Sequence, residues 1–149
     1  MQKYRFLDNI ATADIAFEAT GCDLPELFEN CAQALTEVMV NRSSLSEAAF
    51  QVLRLFTPSA KPFSGPGSQA DNLLYDFLSE LIFLKDTEGF LVKRCVVTIN
   101  NCQLKAKCYG EVADTSKHKF KVDVKAVTRH EFGIKKTAQG YKARVVLDV

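Results

Sequence analysis

An imbalance of charge, a Cys-x-x-Cys pair and a long apolar run are all missing from this chain, and each absence removes a class of function. Its 149 residues carry 19 Lys and Arg against 18 Asp and Glu, so the chain as a whole has neither the basic balance of a polyanion binder nor the charge excess of a disordered segment. Whatever it does must come from local placement. Only two histidines are present, His118 and His130, and neither neighbours a cysteine in the sequence. With five cysteines in an odd set (Cys22, Cys31, Cys95, Cys102 and Cys108), this argues against a zinc cluster and for buried, reduced thiols. No stretch approaches the ~18 apolar residues of a membrane span, and MQKYRFLDNI carries charges where a signal peptide needs an unbroken apolar run. A cytoplasmic or nuclear protein is expected.

Catalytic signatures are also scarce. The one close glycine pair, Gly65 and Gly67, brackets Pro66 and lacks the lysine and helix start of a phosphate-cradling loop. Serines fall mainly in loops or near helix ends, and two histidines leave little room for a nucleophile with an oriented base. An enzyme acting alone is not expected.

Apolar residues make up 47% of the chain, enough for one domain over residues 1–149 with a sizeable core. Residues 3–20 read as two strands, Tyr4 and Phe6 alternating with polar neighbours in the first and Ile15, Phe17 and Ala19 sharing a face in the second. Asp23 can cap a helix with Pro25 in its first turn, and Leu24, Leu27, Phe28, Cys31, Leu35 and Val38 form its apolar stripe. Residues 48–57 read as a strand with apolar residues on both faces, so its buried side is open. PSAKPFSGPGSQ holds three of the four prolines and two glycines and reads as an exposed loop. From Asp71 to about Asp86, ahead of Gly89, Leu73, Leu74, Phe77, Leu78, Leu81 and Ile82 keep helical spacing. Strands are expected at 90–99, 102–110 and 119–130, followed by a hairpin around Gln139-Gly140 in which Tyr141, Ala143, Val145 and Leu147 face one way. The class predicted is α+β, a two-layer sandwich of two amphipathic helices on an antiparallel-rich sheet.

Two places could carry chemistry. Asp14 opens the second strand, and Asp148 precedes Val149, whose terminal carboxylate would repel it. A cation would relieve that repulsion, and hard oxygen ligands favour calcium or magnesium. A turn-capping aspartate and a solvated tail would explain the same residues, and the sequence alone does not bring Asp14 to the chain end. In VKAVTRH, Lys125, Val127 and Arg129 share one strand face and Ala126, Thr128 and His130 the other. Lys125 and Arg129 could receive a phosphate or an acidic partner, or merely solvate an outer face; His130 could equally be a sheet-end residue or a base.

TADI at 12–15, LLYDFLSEL at 73–81, KAVTRH at 125–130 and the terminal LDV, in this order and with an amphipathic helix after the first, resemble the archease family from Tyr4 to Val149. That resemblance implies a small α+β protein that is not itself an enzyme. It implies a cofactor of the RNA ligase of tRNA splicing, which joins a 3′-phosphate or 2′,3′-cyclic-phosphate end to a 5′-hydroxyl end. The cofactor promotes guanylylation of the ligase and its multiple turnover. A divalent-metal site, usually holding calcium, is implied as well, its ligands falling on Asp14, Asp148 and Val149. The family commonly has His just before TAD, where this chain has Ala11. Two other classes stay open on the residues alone: a metal-dependent phosphoester hydrolase using the same carboxylates, and a general chaperone or RNA-binding module.

Overall fold

A computed structural model describes residues 3–7, 14–57 and 68–149. In chain order the elements are β1 (Tyr4–Leu7), β2 (Asp14–Gly21), α1 (Leu24–Met39), a single 3-10 turn (Arg42–Ser44), β3 (Ala49–Phe56), α2 (Gln69–Glu88), β4 (Phe90–Asn100), β5 (Gln103–Val112), β6 (Ala126–Val127), β7 (Gly133–Thr137) and β8 (Gly140–Asp148). The α+β class with two helices against antiparallel strands is as the sequence predicts. The loop expected at PSAKPFSGPGSQ lies almost wholly outside the described residues, as do the turn between β1 and β2 and Ala11.

Both helices begin and end where local chemistry says they should. Asp23 accepts the Glu26 N–H at 2.9 Å, with Pro25 in the first turn. For α2 the cap is Ser68, whose hydroxyl accepts the Asp71 N–H, so the helix starts slightly earlier than the apolar stripe suggests. It stops at Gly89, which takes the left-handed conformation and donates its N–H back to Lys85 O at 2.9 Å. Leu27, Phe28, Leu35, Leu73, Leu74, Phe77 and Leu78 are fully buried, and the Phe28 and Phe77 rings stack across the two helices at 5.8 Å.

The strands divide into two hydrogen-bonded groups. One is a five-stranded antiparallel sheet running β1-β2-β8-β6, with β7 also paired to β8; the other is three-stranded, β3-β5-β4. Buried residues of both sheets and both helices form one continuous core. Among the described residues strand β4 has one strand neighbour, and α1 covers its open edge. Thr36 Oγ1 donates to Val92 O at 2.6 Å, Val97 N–H donates to Glu29 at 2.9 Å, and Arg42 donates to Lys93 O at 3.1 Å. The strand shifts register between Val92 and Arg94 opposite Gly110, where an added Cβ would sit 1.9 Å from Leu91 O, so only glycine fits this bulge.

One expected strand does not form. Within 119–130 only Ala126–Val127 pairs as a strand, and Phe120 makes an isolated bridge to Val40. Phe120, Val122 and Val124 do alternate with charged residues, but the segment is fixed point by point. Lys121 N–H donates to Met39 O and Asn41 N–H to Lys119 O at the exit of α1, while the Lys85 ammonium holds Asp123 at 2.6 Å and Val124 O at 2.7 Å. Among the three alternating residues only Val124 is buried. The thiol expectation holds for Cys31, Cys95 and Cys108, but Cys102 is half-buried and Cys22 exposed; all five are free. Burial pushes the Cys31 thiol far above its ordinary range, leaving it an inert core side chain.

Leu78 sits at the centre of the shared core with no exposed surface. Leu78→Ala should therefore lose about 2–5 kcal/mol of unfolding free energy through lost transfer energy and the cavity left behind. Denaturant titration measures this, and a loss under about half a kcal/mol would contradict the packing.

Candidate functional site

The register between β2 and β8 decides which residues meet. Ile15 lies opposite Leu147, Phe17 opposite Val145 and Ala19 opposite Ala143, all facing the core. The intervening pairs lie on the other side of the sheet: Glu18 opposite Arg144, Ala16 opposite Val146 and, at the end of the ladder, Asp14 opposite Asp148. Two residues from opposite ends of the chain are thus direct cross-strand partners on one face. Directly opposed side chains have Cβ atoms about 5 Å apart, a distance at which like charges repel.

This corner is also bounded on its other side. Asp148 has Ala126 of β6 as its second strand partner, and the Lys125 N–H donates to Asp148 O at 2.8 Å. Val149 packs against the core, so it is held beside the aspartates. Asp14, Asp148 and Val149 are all half-buried. Among the described residues no three His, Cys, Asp or Glu side chains cluster as metal ligands. The corner instead presents two opposed aspartates. Its chemistry suits a hard cation, which would convert opposed like charges into shared ligands.

Lys125, Arg129 and His130 do not form a common face. Lys125 is exposed and anchored through its backbone to Asp148. The Arg129 guanidinium lies 3.7 Å above the Tyr75 ring and donates to Asn72 Oδ1 at 3.1 Å, and Tyr75 in turn meets Phe132 edge-on. Arg129 is thus engaged in fixing the loop after β6 to α2. His130 is exposed, with Nε2 3.7 Å from Glu131 Oε2, while Glu131 is bonded to Arg144 at 2.9 Å. The strand that would have set Lys125 and Arg129 on one face and His130 on the other exists only at Ala126–Val127.

A pairing not foreseen from sequence occupies the other histidine. The His118 ring is fully buried, its Nδ1 accepting the Asp114 N–H at 2.9 Å and its Nε2 lying 2.7 Å from Glu111 Oε1. With Nδ1 accepting, Nε2 carries the proton and donates. Glu111 also takes Lys117 at 2.8 Å and both the Ser46 N–H and hydroxyl at 2.9 Å. Every oxygen is engaged, so this dyad staples the loop after β5 to the 3-10 turn region rather than presenting a base. No local motif announces it, since Ser46 and Glu111 are 65 positions apart.

The family model for the archease protein family (MTH1598/TM1083) matches residues 4–149. The chain is 37% identical to protein archease of Archaeoglobus fulgidus over 148 residues, covering 99% of each chain, and 36% identical to that of Thermococcus kodakarensis with full coverage of both. Among solved structures, the solution structure of Methanobacterium thermoautotrophicum protein 1598 superposes with a TM-score of 0.78 at 32% identity, over the whole of both chains. A crystal structure of an archease from Thermotoga maritima, described as a possible chaperone, matches with a TM-score of 0.63 at 20% identity, covering 97% of this chain and 98% of that one, and shares the fold. The chain therefore belongs to the archease family. Among the described residues no helix is long and apolar enough to cross a membrane.

Hydrogen bonds from Lys117, His118 and Ser46 hold the Glu111 carboxyl far below the usual carboxylate range. A carboxyl whose pKa is depressed by folding contributes stability that is complete above its unfolded value, about 4.3, and lost as the pH falls below it. Glu111→Gln should therefore be less stable than the parent at neutral pH, with the difference shrinking steadily below about pH 5. Denaturation midpoints across pH 7 to 3 test this, and a difference that stays constant over that range would remove the ionic staple.

Proposed function

We propose that this chain acts as a protein cofactor of an RNA ligase, and that it does no joining itself. The ligase is the one that seals a 3′-phosphate or 2′,3′-cyclic-phosphate end to a 5′-hydroxyl end in tRNA splicing, and the cofactor promotes its guanylylation and repeated turnover. Membership of the archease family over nearly the whole chain supports this reading, and the observation that carries it is the direct opposition of Asp14 and Asp148 at a corner of the five-stranded sheet. Asp14, Asp148 and the Val149 carboxylate would hold calcium, with magnesium as the alternative hard cation, and the cation would supply charge neutralisation at that corner. The same edge would be offered to the ligase.

A cofactor changes a ligase only by interacting differently with its states, and each tenfold gain in rate needs about 1.4 kcal/mol of such preference. A few charged contacts at one corner are enough. Lys125 flanks Asp148 through its backbone and extends the corner, whereas Arg129 is already committed to Tyr75 and Asn72. His130, exposed in the same loop, remains available to a partner.

The experiment is multiple-turnover RNA ligation with the cognate ligase, together with labelled GTP to follow guanylylation. The protein should raise turnover at substoichiometric amounts and join or cleave nothing alone. Asp14→Ala and Asp148→Ala should abolish the stimulation while circular dichroism shows a native fold, and Lys125→Ala should weaken it less. Full stimulation by the folded double aspartate variant would reject the corner as the acting surface. Lack of stimulation by the native protein would reject the cofactor role, and turnover of a phosphoester by the protein alone, lost in Asp14→Ala, would replace it with a hydrolase.

A further inference from the structure

The outward face of the three-stranded sheet has a composition that its burial does not require. Along β3, Leu53 turns inward while Phe50, Val52, Arg54 and Phe56 turn outward and are exposed, Phe50 by 54% and Phe56 by 62%. The register sets these against outward residues of β5 and β4 in rows: Phe50 with Tyr109 and Arg94, Val52 with Lys107 and Val96, and Arg54 with Lys105 and Thr98. Aromatic and cationic side chains therefore interleave across three strands. They also touch. The Lys107 ammonium lies 4.4 Å from the Phe50 ring and the Arg94 guanidinium 4.3 Å from that of Tyr109, while the two rings are 6.1 Å apart.

Acids are nearly absent from this face. Arg94 is paired with Glu47 at 3.0 Å, but Arg54, Lys105 and Lys107 make no ion pair among the described residues. In a chain whose total charge is only +1, three uncompensated cations on one small sheet are a local concentration. An apolar protein partner covering the face would have to strip water from those cations without compensation. A polyanion that also presents flat rings meets both parts of the surface. Six positions separate Phe50 from Phe56, about 20 Å of strand, and Arg54 and Phe56 reach a cleft of about 460 Å³ with Thr98, Asn100, Gln103 and Lys105. That span holds a few unstacked nucleotides.

We infer that the exposed face of the three-stranded sheet binds single-stranded RNA. Bases stack on Phe50, Tyr109 and Phe56, and the phosphates run along Arg54, Lys105 and Lys107, as open sheets with outward aromatics bind unpaired strands. This goes beyond the proposed cofactor role, because it concerns the other sheet and requires no ligase and no metal.

The test is fluorescence anisotropy of a short fluorescein-labelled single-stranded RNA titrated with the isolated protein, with a duplex of the same sequence for comparison. The single strand should bind in preference to the duplex. Phe50→Ala and Phe56→Ala should each weaken binding about five-fold or more, with circular dichroism unchanged because both side chains are exposed. Single strands lose affinity with salt at a logarithmic slope of about 0.7 per phosphate neutralised, so three free cations predict a slope near 2, falling below about 1 in the Lys105→Ala, Lys107→Ala double variant. The Lys135→Ala, Lys136→Ala double variant, the same charge change on the other sheet, should leave the slope unaltered. Absence of binding at low salt, equal affinity for the duplex, or indifference to the face variants would overturn the inference. So would loss of ligase stimulation in those variants without any RNA binding, which would assign the face to a protein partner. Failure of the aspartate corner in ligation leaves this result untouched, and the converse also holds.

Discussion

The pairing of β2 with β8 is the constraint on which the rest depends. Side chains alternate faces along a strand, so a slip of one residue would exchange the core face of the slipping strand for its outer face. If β2 slipped, the fully buried Phe17 would turn outward and Asp14 and Glu18 would turn into an apolar interior; if β8 slipped, the fully buried Val145 and Leu147 would turn outward and Asp148 inward. Gly140 helps fix the alignment. Its backbone has φ near +145°, and an added Cβ would lie 2.2 Å from Gly21 O, so the closed end of the ladder accepts no other residue. Arg5 bonded to Glu18 at 2.6 Å ties β1 into the same register on the outer face. With that end pinned, the open end must set Asp14 against Asp148.

An opposed pair of aspartates is a local loss for the sheet. Natural sequences depart from local consistency chiefly where function requires it, and here the departure falls where the first long strand and the last one meet. The staple of His118 and Glu111 shows the contrast: there the carboxylate is fully bonded and the arrangement explains itself as structure. At the Asp14–Asp148 corner no described cation compensates the charges, which is why the proposed role is placed there. The molecule thus offers surfaces on its two sheets, an acidic corner on one and a basic, aromatic face on the other.

Much of this was legible in the sequence, for physical reasons that can be named. The helices declared themselves through apolar stripes closed by Asp23 at one start and Gly89 at one end, and the inward residues of β2 and β8 through strict alternation. What failed was long-range. Nothing local says that β3, β4 and β5 leave the other strands to form their own group, because that follows from pairings across many residues. Phe120, Val122 and Val124 imitate a strand, yet the backbone there is taken up by Met39, Asn41 and Lys85, contacts invisible to periodicity. β3 stayed ambiguous because both of its faces are apolar, and the exposed one proves to be the more informative. Asp14 and Asp148 could be picked out one by one as acids near strand ends, but their meeting rests on topology, for which the sequence offered only resemblance to a family.

The central claim is that Asp14 and Asp148 are opposed in order to share a cation. A double-mutant cycle with Asp14→Asn and Asp148→Asn, read as unfolding free energy in chelator and again in saturating calcium, tests it most directly. The account predicts a repulsive coupling between the two aspartates in chelator, so that either single variant is at least as stable as the parent. In calcium the coupling turns attractive, with the parent stabilised and both single variants deprived of the gain. A coupling of the same sign and size under both conditions would contradict it.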